Sequence, residues 1–433
     1  MAGIATSDRA LDLEGFAHEF NQHLLNTPGT VLPGSLRCAI ARCARDALQG
    51  CNACRKFSRE SQQQSDPLAN TAEERKDSVF RTMAKLNHEP PLDLDQNNGL
   101  HTTNGTDMNR RQHDTIINLV HALVHHQTLL TADWYGSTCV ALQDTHLIPD
   151  DVVNQFMIWS MFCEISLLVA VSHGIHMAFL TLGRTAPLLP RTSSTAPTML
   201  NFKNLKRSDR PLRDANRHSW APYLLHSDMN IDSSELNKLS PEALSSLQRH
   251  MDLASGTMAM VLAPQDLAIM DFMADVYYVS SADVYRPYRP LDSRTKCPGV
   301  TRRDLEILAV AIAEARHCEY YQSKHALLLQ GTRKEYSTFD GTTTTTTSTR
   351  AAALERLAAA ATLRPYQADQ MELARNEVLQ HFSLELLVEA AGTIGVMEAW
   401  TSVANATGRG PLPASRRRLL SCCVIRFGCN PFL

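Results

Sequence analysis

Two separated stretches of this chain, LRCAIARCARDALQG (36–50) and LEILAVAIAEARH (305–317), share a helical pattern and stop just short of a cysteine. In both, apolar residues recur at three- and four-residue spacing, the mark of a helix that buries one face. The first runs into Cys51-Asn52-Ala53-Cys54 and the second into Cys318-Glu319-Tyr320-Tyr321. A further likeness follows in the same order: SLLVAVSHGIHMAFLTLG (166–183) and ELLVEAAGTIGVMEAWTSVANATG (385–408) are each an apolar helix ended by glycine. Recurrence in one order favours internal duplication. With almost no alternating apolar and polar runs, the fold class expected is all-α, two tandem helical repeats forming a two-lobed body.

A chain of 433 residues has room for both repeats. The expected organisation is a first repeat over 1–190 with a polar insertion at 61–109, and a linker rich in Pro, Thr, Ser and Arg at 191–216. A second repeat follows over 217–418 with a disordered Thr-rich insertion at 341–350, and then a tail, 419–433, of unassigned structure. Helices are predicted within 7–58, broken by a Thr-Pro-Gly turn at 27–29, and over 113–130, 151–182, 241–263, 265–279, 301–316, 351–361 and 366–407. Asp150 and Thr301 stand where helix caps belong, and Asp304 adds an acidic first turn.

A net charge of −3 with scattered basic residues argues against a nucleic-acid partner. The run Arg416-Arg417-Arg418 reads as a solvated turn. The most apolar stretch, from Phe156 to Leu182, is interrupted by Glu164, His173 and His176, so it reads as a buried helix and no membrane partner is expected. MAGIATSDRALDLEG lacks the charged segment and apolar core of a secretory signal. A reducing, cytoplasmic location is the expectation, and there the eleven cysteines serve mainly as small buried hydrophobes with a reactive minority.

The reactive minority starts with Cys51 and Cys54. A thiol at a helix N-terminus becomes thiolate more readily, a second sulfur one turn on can close a disulfide, and Arg55 and Lys56 add positive potential. Two inert thiols and a zinc site are the alternatives, although Cys38 and Cys43 lie at spacings that make no standard second zinc pair. The second site replaces the partner thiol by Tyr321, one helical turn before His325. Cys318, His325 and Glu306 would together form a proton relay, with the imidazole taking a proton and the carboxylate orienting it; a buried helix pair with satisfied polar groups is the alternative. His121 and His125 share a helical face, with His126 beside them and Asp133 within reach after a turn, yet no Glu or Cys completes a metal set. No metal or other cofactor is expected. Trp134, Tyr135 and Trp400 read as packing.

The spacing E-x11-C-x2-C-x3-H on consecutive helices resembles the alkylhydroperoxidase D-like and carboxymuconolactone decarboxylase superfamily, an all-α fold. Glu306, Cys318 and His325 match it, with Tyr321 in place of the second cysteine, the one that attacks peroxide in members with the full pattern. Cys51 and Cys54 match both cysteines, but Ala39 and Ser58 stand at the glutamate and histidine positions. RHSWAPYLL (217–225), TMAMVLAPQDLAIMDFMADVYY (257–278) and HALVHHQTLLTADWY (121–135) are similar to segments of two-repeat, peroxidase-related members. The resemblance implies a thiol-dependent peroxidase that reduces a hydroperoxide and is regenerated by an external dithiol donor. The broken motifs leave open a scaffold, a small-ligand binder or a decarboxylase-like acid–base enzyme. It also implies burial of apolar helical faces in a possible homo-oligomer.

Overall fold

The computed structural model describes residues 13–50, 110–127, 130–148, 155–200, 223–224, 233–252, 257–277, 301–336, 344–363, 365 and 367–412. Among them the protein is all-α apart from one short strand pair. The first half contributes α1 (Leu13–Asn26), α2 (Gly34–Gly50), α3 (Arg110–His125), α4 (Ala132–Gln143) and α5 (Gln155–Thr181). The second contributes α6 (Ser233–Leu236), α7 (Pro241–Asp252), α8 (Pro264–Tyr277), α9 (Arg302–Ala315), α10 (Glu319–Tyr336), α11 (Thr344–Leu363), α12 (Ala368–Leu379) and α13 (Leu384–Ala406). Strands β1 (Tyr223–Leu224) and β2 (Thr257–Met258) pair antiparallel, Tyr223 opposite Met258.

Local chemistry accounts for the elements. In α1, Leu13, Phe16, Ala17, Phe20 and Leu24 fall on one face and all are buried. Helix α9 opens on a capping box: Thr301 Oγ1 accepts from the Asp304 amide, while the Asp304 carboxylate accepts from the Thr301 amide at 2.8 Å. Helix α5 is long and apolar enough to cross a membrane, yet 94% of its apolar window is buried within this body, where it serves as the central core helix.

Helices α5 and α13 pack on each other more extensively than any other pair. They touch backbone to backbone through glycines: a Cβ on Gly174 would lie 2.4 Å from the Gly395 carbonyl oxygen, and one on Gly395 would lie 2.5 Å from that of Gly174. Their ends also correspond. Gly183 (φ +69°) and Gly408 (φ +64°) adopt the left-handed conformation, and the next amides, of Arg184 and Arg409, donate to the carbonyls of Phe179 and Ala404 at 2.9 and 2.8 Å. Around this pair, α2 packs on α3 and α5, and α9 on α11 and α13.

Several expectations change. The two-lobed body is replaced by one continuous core that takes residues from α1 through α13. The reason is that α5 and α13 are each buried nearly all round, so each needs the other to cover it. The expected linker is, up to Leu200, a strap on the first half: Gly34 N donates to Thr195 O (2.8 Å), Thr198 N to Gly29 O (2.7 Å) and Arg42 Nη1 to Pro190 O (2.7 Å). From Thr344 the threonine tract is helical, not disordered. The helix is anchored by Arg350 Nη2, which donates to Asp304 at 2.8 Å, and by buried Ala353, Leu354 and Leu357, and these contacts override the weak helix propensity of threonine. The helix predicted over 366–407 breaks at Gln380–Ser383, where the Ser383 hydroxyl caps α13. That predicted over 113–130 ends at His125, and α4 then starts from a Thr131 cap. The insertion at 61–109, Asp150 and the tail at 419–433 lie outside the described residues.

Candidate functional site

Helix α9 ends on His317, which takes a left-handed conformation (φ +49°), while the Cys318 amide donates to Ala313 O at 2.8 Å. This is a glycine-type helix stop made by a histidine. It reverses the chain so that Cys318 stands just ahead of α10, with the Gln322 amide donating to its carbonyl at 2.9 Å. The hairpin sets Glu306 on α9 facing His325 on α10.

Glu306 is wholly buried and His325 is 2% exposed, and His325 Nδ1 lies 2.8 Å from Glu306 Oε2. One turn earlier on α9, Arg302 Nε donates to the other oxygen, Oε1, at 2.6 Å. The carboxylate is therefore held between a guanidinium and an imidazole, a geometry that fixes the ring. Burial lowers the His325 pKa from its ordinary value against the opposing pull of Glu306. Tyr321 stacks on His325 with ring centres 5.6 Å apart and planes 25° off parallel, and Trp400 of α13 meets Tyr321 edge-on at 6.1 Å. Trp400, expected as packing alone, is thus part of the site's wall. Lys324 lies 5.9 Å from the centre of the Tyr321 ring, and burial with the charge of Arg409 brings its ammonium down to about 8.

Glu306, His325 and Tyr321 lie together in the structure. Cys318 is different. It is fully buried, and burial pushes its thiol up to about 12, outweighing the α10 amides of Tyr321 and Tyr320 and the Arg409 charge that favour the thiolate. Cys51 and Cys54 lie outside the described residues, as does Ser58. Ala39, at the position corresponding to Glu306, is buried in α2. The free cysteines among the described residues, Cys38, Cys43, Cys139, Cys163 and Cys318, are all buried, in keeping with their reading as small hydrophobes.

Two further buried polar clusters went unforeseen. Arg37 of α2, fully buried, donates to Asp266 of α8 at 2.6 Å and contacts Glu164 of α5 at 3.3 Å, while His23 of α1 lies 2.9 Å from Asp266. Glu164 Oε2 also accepts from the amides of Val31 and Leu32 at 2.8 and 3.1 Å. Burial would raise the Asp266 pKa, but Arg37 and His23 outweigh it and hold the carboxyl below its usual range. Burial and the Asp266 charge together push Glu164 up to about 8. In the second cluster Glu398 of α13 accepts from Arg316 Nε and from Thr362 Oγ1, each at 2.7 Å, and lies 3.4 Å from His173 of α5. The only sequence signal for either was a charged residue interrupting an apolar helix, as Glu164 does.

His121 and His125 of α3 are partly buried. His125 Nε2 donates to Ala47 O at 3.1 Å, and burial, reinforced by His121, lowers its ring to about 3. No group of three His, Cys, Asp or Glu side chains among the described residues could hold a metal ion. No family model, curated protein or solved structure matches the chain.

Proposed function

We propose that the chain is a two-repeat protein of the alkylhydroperoxidase D-like and carboxymuconolactone decarboxylase type, whose second repeat is an acid–base site acting on a small molecule. The observation that carries this reading is the buried 2.8 Å contact between Glu306 and His325. In the proposed mechanism Glu306 fixes the imidazole and faces the positive charge that appears when the ring takes a proton, and Arg302 holds Glu306 in place. Tyr321 and Trp400 supply an aromatic wall that limits water. The two-repeat arrangement is supported by the reciprocal glycine crossing of α5 and α13 and by their matching left-handed glycine ends.

A second reading keeps thiol peroxidase chemistry at the first repeat, and the intact Cys51-x-x-Cys54, directly after α2, favours it. There a thiolate would attack the O–O bond of a hydroperoxide, releasing the alcohol and leaving a sulfenic acid. The second thiol would condense with it to a disulfide and water, and an external dithiol would reduce the disulfide. On this reading Cys318 is a packing residue. The reaction needs no cofactor, and the repeats, fused in one chain, are compatible with a monomer or a homo-oligomer in the cytoplasm.

The test is consumption of hydrogen peroxide and of an organic hydroperoxide with a dithiol donor, in wild type and in Cys51→Ser, Cys54→Ser, Cys318→Ser and His325→Gln. The acid–base reading expects no thiol-dependent turnover, and expects proton exchange or decarboxylation of a small carboxylated substrate to be lost in His325→Gln. Turnover abolished by Cys51→Ser or Cys54→Ser and retained in Cys318→Ser would establish the dithiol instead. Loss confined to Cys318→Ser would refute both.

A further inference from the structure

The strap that follows Gly183 carries polar side chains that the Glu306 and His325 site does not use. It runs from Arg184 to Leu200 without helix or strand, tied to the first half at intervals. Around Ser194 the ties alternate, as they must in an extended chain whose successive side chains point to opposite sides. Buried Ser193 donates through Oγ to Leu25 O at 2.8 Å and lies 3.1 Å from Thr195 Oγ1, so residues 193 and 195 face inward together. The Thr195 carbonyl accepts from the Gly34 amide at 2.8 Å. Ser194, between them, is exposed.

Three residues before Ser194 stands Arg191, and among the described residues no other serine or threonine has an arginine at that offset. Arg191 is fastened through its main chain, its carbonyl accepting from Arg42 Nη1, while the residue itself is exposed. An accessible hydroxyl on an extended segment is what a protein kinase can draw to its nucleotide, and a guanidinium at a fixed offset is what paired carboxylates can read. The product suits the place as well. A phosphoserine carries about −1.5 to −2 charge at pH 7. Arg42 and Arg191 lie close enough to repel each other, and the first turn of α2, which the strap crosses at Gly34, holds no acidic residue. Asp46, which also acts on Arg42, is held by Arg45 at 3.0 and 2.9 Å.

We propose that Ser194 is a phosphorylation site for a serine/threonine kinase that reads the arginine three residues upstream. The bond from Ser194 Oγ to the γ-phosphorus of ATP forms as the bond to ADP breaks, and the hydroxyl proton passes to the kinase's carboxylate base. The phosphate adds negative charge beside Arg191 and Arg42 without entering the core, so the modified strap stays seated.

The test incubates the full chain with ATP, Mg²⁺ and the catalytic subunit of a cyclic-AMP-dependent protein kinase as the probe, and follows Ser194 by peptide mass spectrometry beside a synthetic peptide of residues 184–200. The native chain should take phosphate at Ser194, Ser194→Ala should take none in that segment, and Arg191→Ala should slow the reaction about tenfold. Both side chains are at the surface, and Arg191→Ala keeps the carbonyl that Arg42 holds, so both variants should melt as the wild type does and the phosphorylated chain no lower. Phosphate on the peptide but not on the native chain would show that the strap withholds the hydroxyl and would overturn the proposal. So would phosphate on neither, a rate indifferent to Arg191→Ala, or a melting temperature lowered by phosphorylation.

Discussion

Replacing Gly174 by alanine puts a methyl group where α5 meets α13. The new Cβ would stand 2.4 Å from the Gly395 carbonyl oxygen. Ordinary contact needs about 1 Å more, and the obstacle is backbone that cannot rotate aside, so the helices must move apart. A gap of that size forfeits roughly a quarter to a half of the dispersion attraction between facing atoms, and overpacking of this kind costs about 3 kcal/mol at its upper end. Alanine returns about 1 kcal/mol through its better helix propensity, which leaves a net loss of about 2 kcal/mol. Gly136, in α4, supplies the control: a Cβ there meets nothing within 4 Å, so Gly136→Ala should stabilise by about 0.5–1 kcal/mol. Gly395→Ala meets the same obstacle from the other side, and the Gly174→Ala, Gly395→Ala double variant should cost less than the two singles added, because one separation accommodates both methyls. Urea unfolding followed by circular dichroism gives the differences, compared at equal m-value. A Gly174→Ala variant as stable as Gly136→Ala, or strict additivity in the double variant, would refute the crossing.

The buried Arg37 offers a sharper stability test: Arg37→Met leaves Asp266 in the interior with only His23 for company and should cost about 3–5 kcal/mol in urea unfolding, whereas a loss under 1 kcal/mol would show that water reaches the cluster. His126 sets a pH dependence. Burial and His121 lower it to about 4 in the fold, against 6.5 for an unperturbed ring. Its contribution is therefore complete above pH 6.5 and is lost as pH falls toward 4, by about 3 kcal/mol in all. His125 and His176, lowered to about 3 and about 4, contribute in the same window, so His126→Gln should reduce the slope there by about one proton's share, and an unchanged slope would place the proton uptake elsewhere. Cys318, with its thiol pushed up to about 12, should resist iodoacetamide in the native protein at pH 7 while reacting readily in urea, as read by peptide mass spectrometry. Rapid native alkylation would contradict its burial.

Sequence reasoning reached the all-α class and the proximity of Glu306, Tyr321 and His325 for the same reason: both are local. Apolar spacing places α2, α5 and α9 with ends within a few residues and the end, but not the start, of α13, and the Thr301 and Asp304 capping box was visible as a four-residue pattern. Glu306, Tyr321 and His325 meet because they share two helices joined by a short turn, so their spacing already carries their geometry. What failed was non-local. Nothing in a run of threonines announces that Arg350 will reach Asp304 and hold the tract helical. Nothing in a segment rich in Pro and Ser announces that Gly34 and Arg42 will bind it as a strap. Thiol reactivity fell in the same gap. The helix terminus that favours a Cys318 thiolate is sequence-local, but the burial that defeats it is a property of the assembled core.

This contrast also bears on how the two halves divide their chemistry. In the second half a glutamate stands on the buried face of α9 and meets an imidazole across the hairpin. In the first, the corresponding position on α2 is Ala39, and the buried charge is instead Arg37, two residues earlier and turned toward Asp266 and Glu164. An Arg37 guanidinium committed to two carboxylates of other helices fastens α2 to α5 and α8 and has no unoccupied partner for catalysis. In the first half Arg37 thus serves to hold the core together, as Glu398 and Arg316 do in the second, where Glu306 in addition stands beside a titratable ring. A dithiol at Cys51 and Cys54 would have to act without a glutamate or histidine at the motif positions, where Ala39 and Ser58 stand, relying on Arg55 and Lys56 to favour the thiolate. The acid–base reading at His325 needs no such substitute, because every group it invokes is already in contact with the next.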